Sequence, residues 1–453
     1  MMQNSRVNFL NHSCISVSSG ATTILCDPWF TGSAFDNGWR LLAEDTHDLG
    51  AVPHDWIWIS HEHPDHFSIA TLKQLKGPTK FIYQATQDGK VSGYLRGKGH
   101  EVSEIGDFET RTYGDIACQL YASDGYDSAV LFTLPDGRKV LNVNDCRIEL
   151  GGLLERIAAA AGPIDLLTIQ FSYANWAGNA GDEAIPRLQH EQVLERVEHA
   201  IRVLKPKATM LFASYVYFSH DENFHWNQHF WIDQVVAKLS PLTKLIVPKP
   251  KDVIDLATLN TTDFSARNEV ARDYWTELHD TRAPADHARE HLTIEQLREE
   301  FARFHEAHWR DNNLAFARAT SRGPVQLDVK LTDLNESVRL DLYEGSFEAA
   351  PGGAYDVAVS SEVLKFLFRS KFGRGSLTIN GRVHFNYETA HRFFVFFFAF
   401  YANNIGKRLT PDGGLAWANV RSIAKTAVLE SIFRTTPQAQ RNYDAFIESF
   451  LPA

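Results

Sequence analysis

Four side chains able to bind a metal ion fall within six residues of this chain: His61, His63, Asp65 and His66, in ISHEHPDHFS. They follow directly on the apolar run WIWIS, residues 56–60, which reads as a buried strand. Any fold of the chain must therefore end an inner strand at a loop where these groups meet. Two histidines two apart in an extended loop can converge on one ion, while the aspartate and histidine that follow point to a second centre beside it. A solvated, histidine-rich loop would have no use for four such groups immediately after an apolar strand, so the spacing predicts a paired metal site.

The strands around this loop are legible from their alternation. VNFL, CISVSS and TTILCD read as three short strands, with Gly20 turning the second into the third. Pro28 stops the ladder just after Asp27. His12 and Asp27 can both approach the metals, and the reading favours a supporting or structural role for each. Beyond the loop, SIATLKQLK has helical spacing and KFIYQA is the next strand. ACQLYAS, SAVLFTL and KVLNVN follow as strands, the last two joined by the turn residues Pro135, Asp136 and Gly137, so that a hairpin delivers Asp145. PIDLLTIQFS and ATMLFAS read as strands flanking an amphipathic helix in HEQVLERVEHAIRVLK. The pattern is two sheets between helices.

From about residue 260 the texture changes. Thr293 and Gln296 form a capping-box signature ahead of LTIEQLREEFARFHEAHW, whose His305 and His308 read as part of a solvated helix face. QLDVKLTD, VRLDLYEG and DVAVSS alternate as strands, SSEVLKFLFRSKFG reads as a helix, and SLTINGRVHF reads as strand around an Asn-Gly turn. The expected domains are 1–260, holding the dinuclear-metal site, a mainly helical connecting segment at 261–322, and an α+β domain at 323–453.

Composition bounds the function. A chain of 453 residues with 44% hydrophobic and 22% charged residues has the make-up of a soluble globular protein. A net charge of -11 without a Lys/Arg run argues against nucleic acid, which requires a basic face. The cysteines, Cys14, Cys26, Cys118 and Cys146, lack CxxC spacing, so neither a disulfide framework nor a zinc ribbon is expected. MMQNSRVNFL lacks the zones of a signal peptide, and FFVFFFAFYA, residues 393–402, falls short of the roughly 20 residues of a membrane span. The expected location is the cytoplasm.

The H-x-H-x-D-H motif resembles that of the metallo-β-lactamase superfamily. DPWFTGSAFDNGWRLL, ISHEHPDHFSIATLKQL, KVLNVNDC and LFASYVYFSH, in that order, look like the catalytic region of the CMP-N-acetylneuraminate hydroxylases. The resemblance spans roughly the first 250 residues and, more weakly, PGGAYDV and beyond. It implies an α/β fold, a metallo-β-lactamase-like αββα sandwich with metal ligands on loops at one sheet edge. His61 and His63 then hold the first metal and Asp65 and His66 the second, with Asp145 as bridging carboxylate. The match of LFASYVYFSH selects His220 as the last ligand, over His225 and His229. Glu222 could orient a ligand or act as acid or base.

Two departures shape the expected chemistry. Hydrolases of this superfamily place another histidine between the loop and Asp145, whereas this chain has ASDGYDSAVLF there, making Asp127 the substitute ligand with Asp124 as its alternative. Four histidines with three carboxylates favour iron, with zinc or manganese as alternatives. The hydroxylases also carry a Rieske domain, whose Cys-x-His and Cys-x-x-His pairs are not found in this sequence. The resemblance thus implies a non-haem diiron oxygenase acting on a small molecule, an N-acetyl sugar or nucleotide sugar, with electrons from a separate reductase or ferredoxin. The competing expectation is a zinc or manganese hydrolase of an ester, amide or phosphodiester, with Asp65 and Asp145 as catalytic groups in either case.

Overall fold

The computed structural model describes residues 5–412 except 45–46, 124–125, 174, 322 and 405. The chain divides into two compact units, the first formed by residues 1–174, 190–219 and 227–284, the second by 175–189, 220–226 and 285–453.

Two seven-stranded sheets build the first unit. One runs in the order Val253–Asp255, Arg6–Asn11, Cys14–Ser18, Thr23–Cys26, Trp56–Trp58, Lys80–Gln84 and Glu101–Ile105. Its first four strands are antiparallel and the rest parallel, so the change of direction falls between Cys26 and Trp58. The other runs Lys244–Ile246, Ala208–Phe212, Leu166–Gln170, Lys139–Asn144, Asp127–Thr133, Ile116–Ser123 and Thr110–Tyr113. Inner strands covered on both faces are buried at every position, which is why ATMLF and VLNV are almost wholly apolar, their polar members Thr209 and Asn142 being paired with Thr243 and Thr168. The turn between Asp127–Thr133 and Lys139–Asn144 is closed by Leu134 N–H to Arg138 O at 2.9 Å, with Gly137 at φ +82°.

The sheets face each other through large rings. Trp58 meets Phe132 edge-on at 6.3 Å, Phe9 meets Phe212 at 6.3 Å, and Ser128 Oγ donates to Ser60 O at 2.8 Å. Val91 and Leu95 of the helix Lys90–Gly97 pack with Phe81 and Tyr83 on the outer face of the first sheet. Leu154 of Leu153–Ala161, and Val193, Val197 and Ala200 of Ala184–Leu204, lie beside Ile169 of the second. Helix, sheet, sheet, helix is the expected αββα order.

A smaller α+β arrangement fills the second unit. Its sheet runs Phe347–Ala349, Glu336–Asp341, Gln326–Leu331, Val357–Val359 and His384–Phe385. The helix Ile294–Asp311 starts with the full capping box at Thr293 and Gln296. Leu297, Phe301, Phe304 and His308 form its buried stripe, so the solvated-face reading of His308 is corrected: charge on the other faces masked a core position.

One strand expectation is also corrected. GRGSLTIN, Gly373–Asn380, is helical, and strand returns only at His384–Phe385. Gly381 sits at φ +69° as the left-handed helix end, and a Cβ there would lie 2.2 Å from the Trp226 ring. Asn-Gly serves a hairpin turn and a helix C-terminus equally, and burial of Leu377 decides for the helix.

Candidate metal centre

At four strand ends of the first unit the backbone turns into the left-handed region without glycine: His12 (φ +33°), Asp27 (+42°), Asn144 (+45°) and Ala213 (+46°). Such conformations cost of order 1–3 kcal/mol each and persist where surroundings over-determine them. Around Asp27 and Asn144 those surroundings are hydrogen bonds. Asp27 Oδ1 accepts from Ser60 N–H at 2.8 Å, and Asn144 Oδ1 accepts from Asp145 N–H at 2.6 Å while its Nδ2 donates to Ser128 O at 3.2 Å.

Ser60, the last residue before the histidine loop, ties the two halves of that loop together. Its hydroxyl donates to Asp27 Oδ2 at 2.7 Å and lies 3.0 Å from His61 Nδ1. Asp27 Oδ2 also accepts from His66 Nδ1 at 2.9 Å. A carboxylate can only accept, so His66 carries its proton on Nδ1; with its own proton committed to Asp27, Ser60 Oγ accepts from His61 Nδ1–H. In the neutral form both rings thereby turn Nε2, the nitrogen that a metal ion would take in place of a proton, toward the middle of the site.

Those nitrogens meet further donors. His61 Nε2 lies 2.8 Å from His63 Nδ1 and 3.8 Å from Asp145 Oδ2. His66 Nε2 lies 3.5 Å from Asp145 Oδ1 and 3.4 Å from Asp65 Oδ2, which is also 3.4 Å from His12 Nε2. Two groups of donor atoms result, His61 with His66 and Asp145, and His12 with Asp65 and His66, each group within 4.8 Å.

The electrostatics are those of a cation site. Burial pulls the His66 imidazole down, but Asp145, Asp65 and Asp27 outweigh it and hold its pKa well above the usual histidine value. Burial pushes Asp65 and Asp145 up, yet His66 with His12 in the first case, and His66 with His61 in the second, hold both below the ordinary range. Asp65 Oδ1, Asp145 Oδ1 and His66 Nε2 are buried with no hydrogen-bond partner. Leaving three such atoms unmatched is expensive, whereas positive charge among them satisfies all three, so the donor set fits metal ions.

Residues 6–140 match the beta-lactamase superfamily domain. That domain contains the histidine loop and Asp127; Asp145 lies just beyond the matched residues. The chain is 25% identical over 302 residues to the cytidine monophosphate-N-acetylneuraminic acid hydroxylase of Danio rerio, an alignment covering 59% of this chain and 50% of that protein. This chain thus spans about half the length of the relative it matches. Among solved structures, the diiron beta-hydroxylase CmlA from Streptomyces venezuelae is similar at TM-score 0.41 and 17% identity, covering 56% of this chain and 55% of that one. An isothiocyanate hydrolase from Delia radicum gut bacteria is similar at TM-score 0.41 and 11% identity, covering 55% and 98% respectively.

Within the beta-lactamase superfamily domain and just after it, the structure brings together His61, His63, Asp65, His66 and Asp145. Asp127 opens its strand beside them, with Oδ1 4.0 Å from Nδ1 of His61, the nitrogen turned away from the other donors. Asp124 lies outside the described residues. His220 belongs to the second unit, where its ring stacks on His287 at 5.3 Å and its Nδ1 lies 2.9 Å from Asp221 Oδ1. Glu222, in the same unit, holds the buried Arg382 at 2.7 Å.

Sequence reasoning missed Ser60. Its signal was present, a hydroxyl closing an apolar strand directly before the first ligand, but the partner Asp27 is 33 residues away and only pairing of their strands joins them.

Proposed function

We propose that the chain is a dinuclear-metal oxygenase of the diiron type, hydroxylating a small molecule with O2 and externally supplied electrons. The carrying observation is Asp145, whose two carboxylate oxygens face different rings, Oδ2 toward His61 and Oδ1 toward His66. A carboxylate placed in this way can give one oxygen to each of two ions. His61 and His63 then hold the first ion together with Asp127, or Asp124 in its place, and Asp65 and His66 hold the second. His220 enters this set from the sequence match alone.

Iron is favoured by the donor chemistry. Carboxylates are hard donors that suit iron or manganese better than zinc. Two ferrous ions, when bound, would supply the binding and reduction of O2. The protein's own part is orientation: Ser60 and Asp27 fix the ring nitrogens, and Asn144 holds the strand end that presents Asp145. Likeness to the hydroxylases supports an N-acetyl sugar or nucleotide sugar as substrate; the electrons that O2 reduction requires would come from a separate reductase or ferredoxin.

Metal content by plasma emission spectrometry tests the reading. About two irons per chain are expected after growth in iron-supplemented medium, followed by O2 consumption once a reductase is supplied. Zinc or manganese at that stoichiometry would overturn the oxygenase reading in favour of hydrolysis of an ester, amide or phosphodiester. Asp145→Ala should release at least one ion with an unchanged circular dichroism spectrum; full occupancy in that variant removes Asp145 from the centre.

A further inference from the structure

The second unit contains a cavity of about 270 Å³ lined by Gln326, Asp328, Arg339, Asp356 and Arg392, with Pro324, Val325 and Val395 completing its wall. Its volume lies at the small end of ligand pockets. Three parts of the unit supply the charges: Asp328 and Arg339 from neighbouring strands, Asp356 from the loop ahead of Val357–Val359, and Arg392 from the helix His391–Phe396.

The two acids are buried and their oxygens already engaged. Asp328 accepts Arg339 Nε and Nη2, each at 2.7 Å, a bidentate pair that locks the guanidinium plane. Asp356 accepts Asp328 N–H at 2.9 Å through Oδ2 and Arg392 Nη1 at 3.3 Å through Oδ1. Gln326 commits its amide N–H to Asp341 Oδ2 at 2.7 Å. The arginines are not used up. Arg339 retains Nη1, Arg392 retains Nε and Nη2, and their side chains are 34% and 44% exposed where the acids are 5% and 3%.

Unused hydrogen-bonding capacity at the cavity thus includes N–H donors of two guanidiniums, Arg392 tethered to Asp356 by one longer bond and Arg339 locked by its bidentate pair with Asp328. An arginine so fixed loses little freedom when it binds an oxyanion, and its planar fork matches phosphate or carboxylate geometry. We propose that this cavity is a binding site for a small molecule carrying an oxyanion group, phosphate or carboxylate, held between Arg339 and Arg392. The proposal is independent of the metal chemistry, since none of these residues belongs to the ligand set.

The test is isothermal titration calorimetry on the metal-loaded full chain at constant ionic strength, with inorganic phosphate in one arm and succinate in the other. Saturable binding of at least one anion is expected. Arg392→Gln keeps a polar group beside Asp356 and should weaken that binding roughly tenfold to a hundredfold, as loss of a charge-assisted hydrogen bond requires. A double variant, Asp328→Asn with Arg339→Gln, removes the second guanidinium without leaving a buried charge unpaired and should act in the same direction. Asp145→Ala should bind the anion as the parent does, which separates this cavity from anion binding at the metals. No saturation with either anion up to about 20 mM, weaker than the affinities expected of a specific site, overturns the proposal. So does unchanged affinity in both arginine variants, or loss of binding in Asp145→Ala.

Discussion

At the scale of single residues, Ser60 and Asp27 set the chemistry of groups other than themselves. One hydroxyl and one carboxylate decide which nitrogen of His61 and of His66 is free. Removing such a partner leaves the ligand in place but mis-oriented, which typically weakens metal binding about 10- to 100-fold. Ser60→Ala and Asp27→Asn should each do so in a chelator competition assay, and undiminished affinity in both would show that the rings are held by packing alone. Asp127 poses the opposite question, because its carboxylate approaches the outward nitrogen of His61. Asp127→Ala and Asp124→Ala, compared by metal content, should single out one variant with a lowered first-metal occupancy. Equal and full content in both would refute the substitution of a carboxylate for the missing histidine.

Among the elements, the helix Ile294–Asp311 carries an acid-sensitive position of the second unit. His308 is fully buried and neither ring nitrogen has a hydrogen-bond partner. Burial, and to a lesser degree His305, lowers its pKa from 6.5 to about 3. Below 6.5 the unfolded chain therefore takes up a proton that the folded chain refuses. Stability must fall as the pH drops from 6.5 toward 3, by about 1.4 kcal/mol per unit well below the unfolded value. His308→Leu removes that slope. Urea unfolding at pH 7 and pH 5 should show the parent losing roughly 2 kcal/mol more than the variant over this step, and equal losses would mean that the ring is protonated in the native state. The same helix shows why periodicity misled: its apolar spacing was visible, but a histidine at the i+4 position from Phe304 reads as polar until Phe304 and Phe400 are seen around it. In Gly373–Asn380 the local signal itself was ambiguous, and packing settled it.

For the whole molecule, the first unit gathers excess negative charge at one sheet edge and leaves buried donors unmatched there. A bound ion pair should therefore stabilise the native state by mass action. Stripping metal with a chelator should lower the melting temperature by roughly 5–15 °C, and adding iron back should restore it. An unchanged melting curve would mean that the donors are neutralised by protons at little cost. Among the described residues no helix is long and apolar enough to cross a membrane, in keeping with the short phenylalanine run seen in the sequence. Local pattern along the chain was enough for the strand segments around the metal loop and for the histidine loop itself, because a strand followed by ligands is written in adjacent residues, while the expected bridging role of Asp145 came from the family resemblance. Only tertiary structure decided which nitrogen each histidine offers, that Ser60 joins two ligands through Asp27, and that Asp328, Arg339, Asp356 and Arg392 share one cavity. The groups concerned are tens of residues apart, and no periodicity along the chain records a hydrogen bond made between strands.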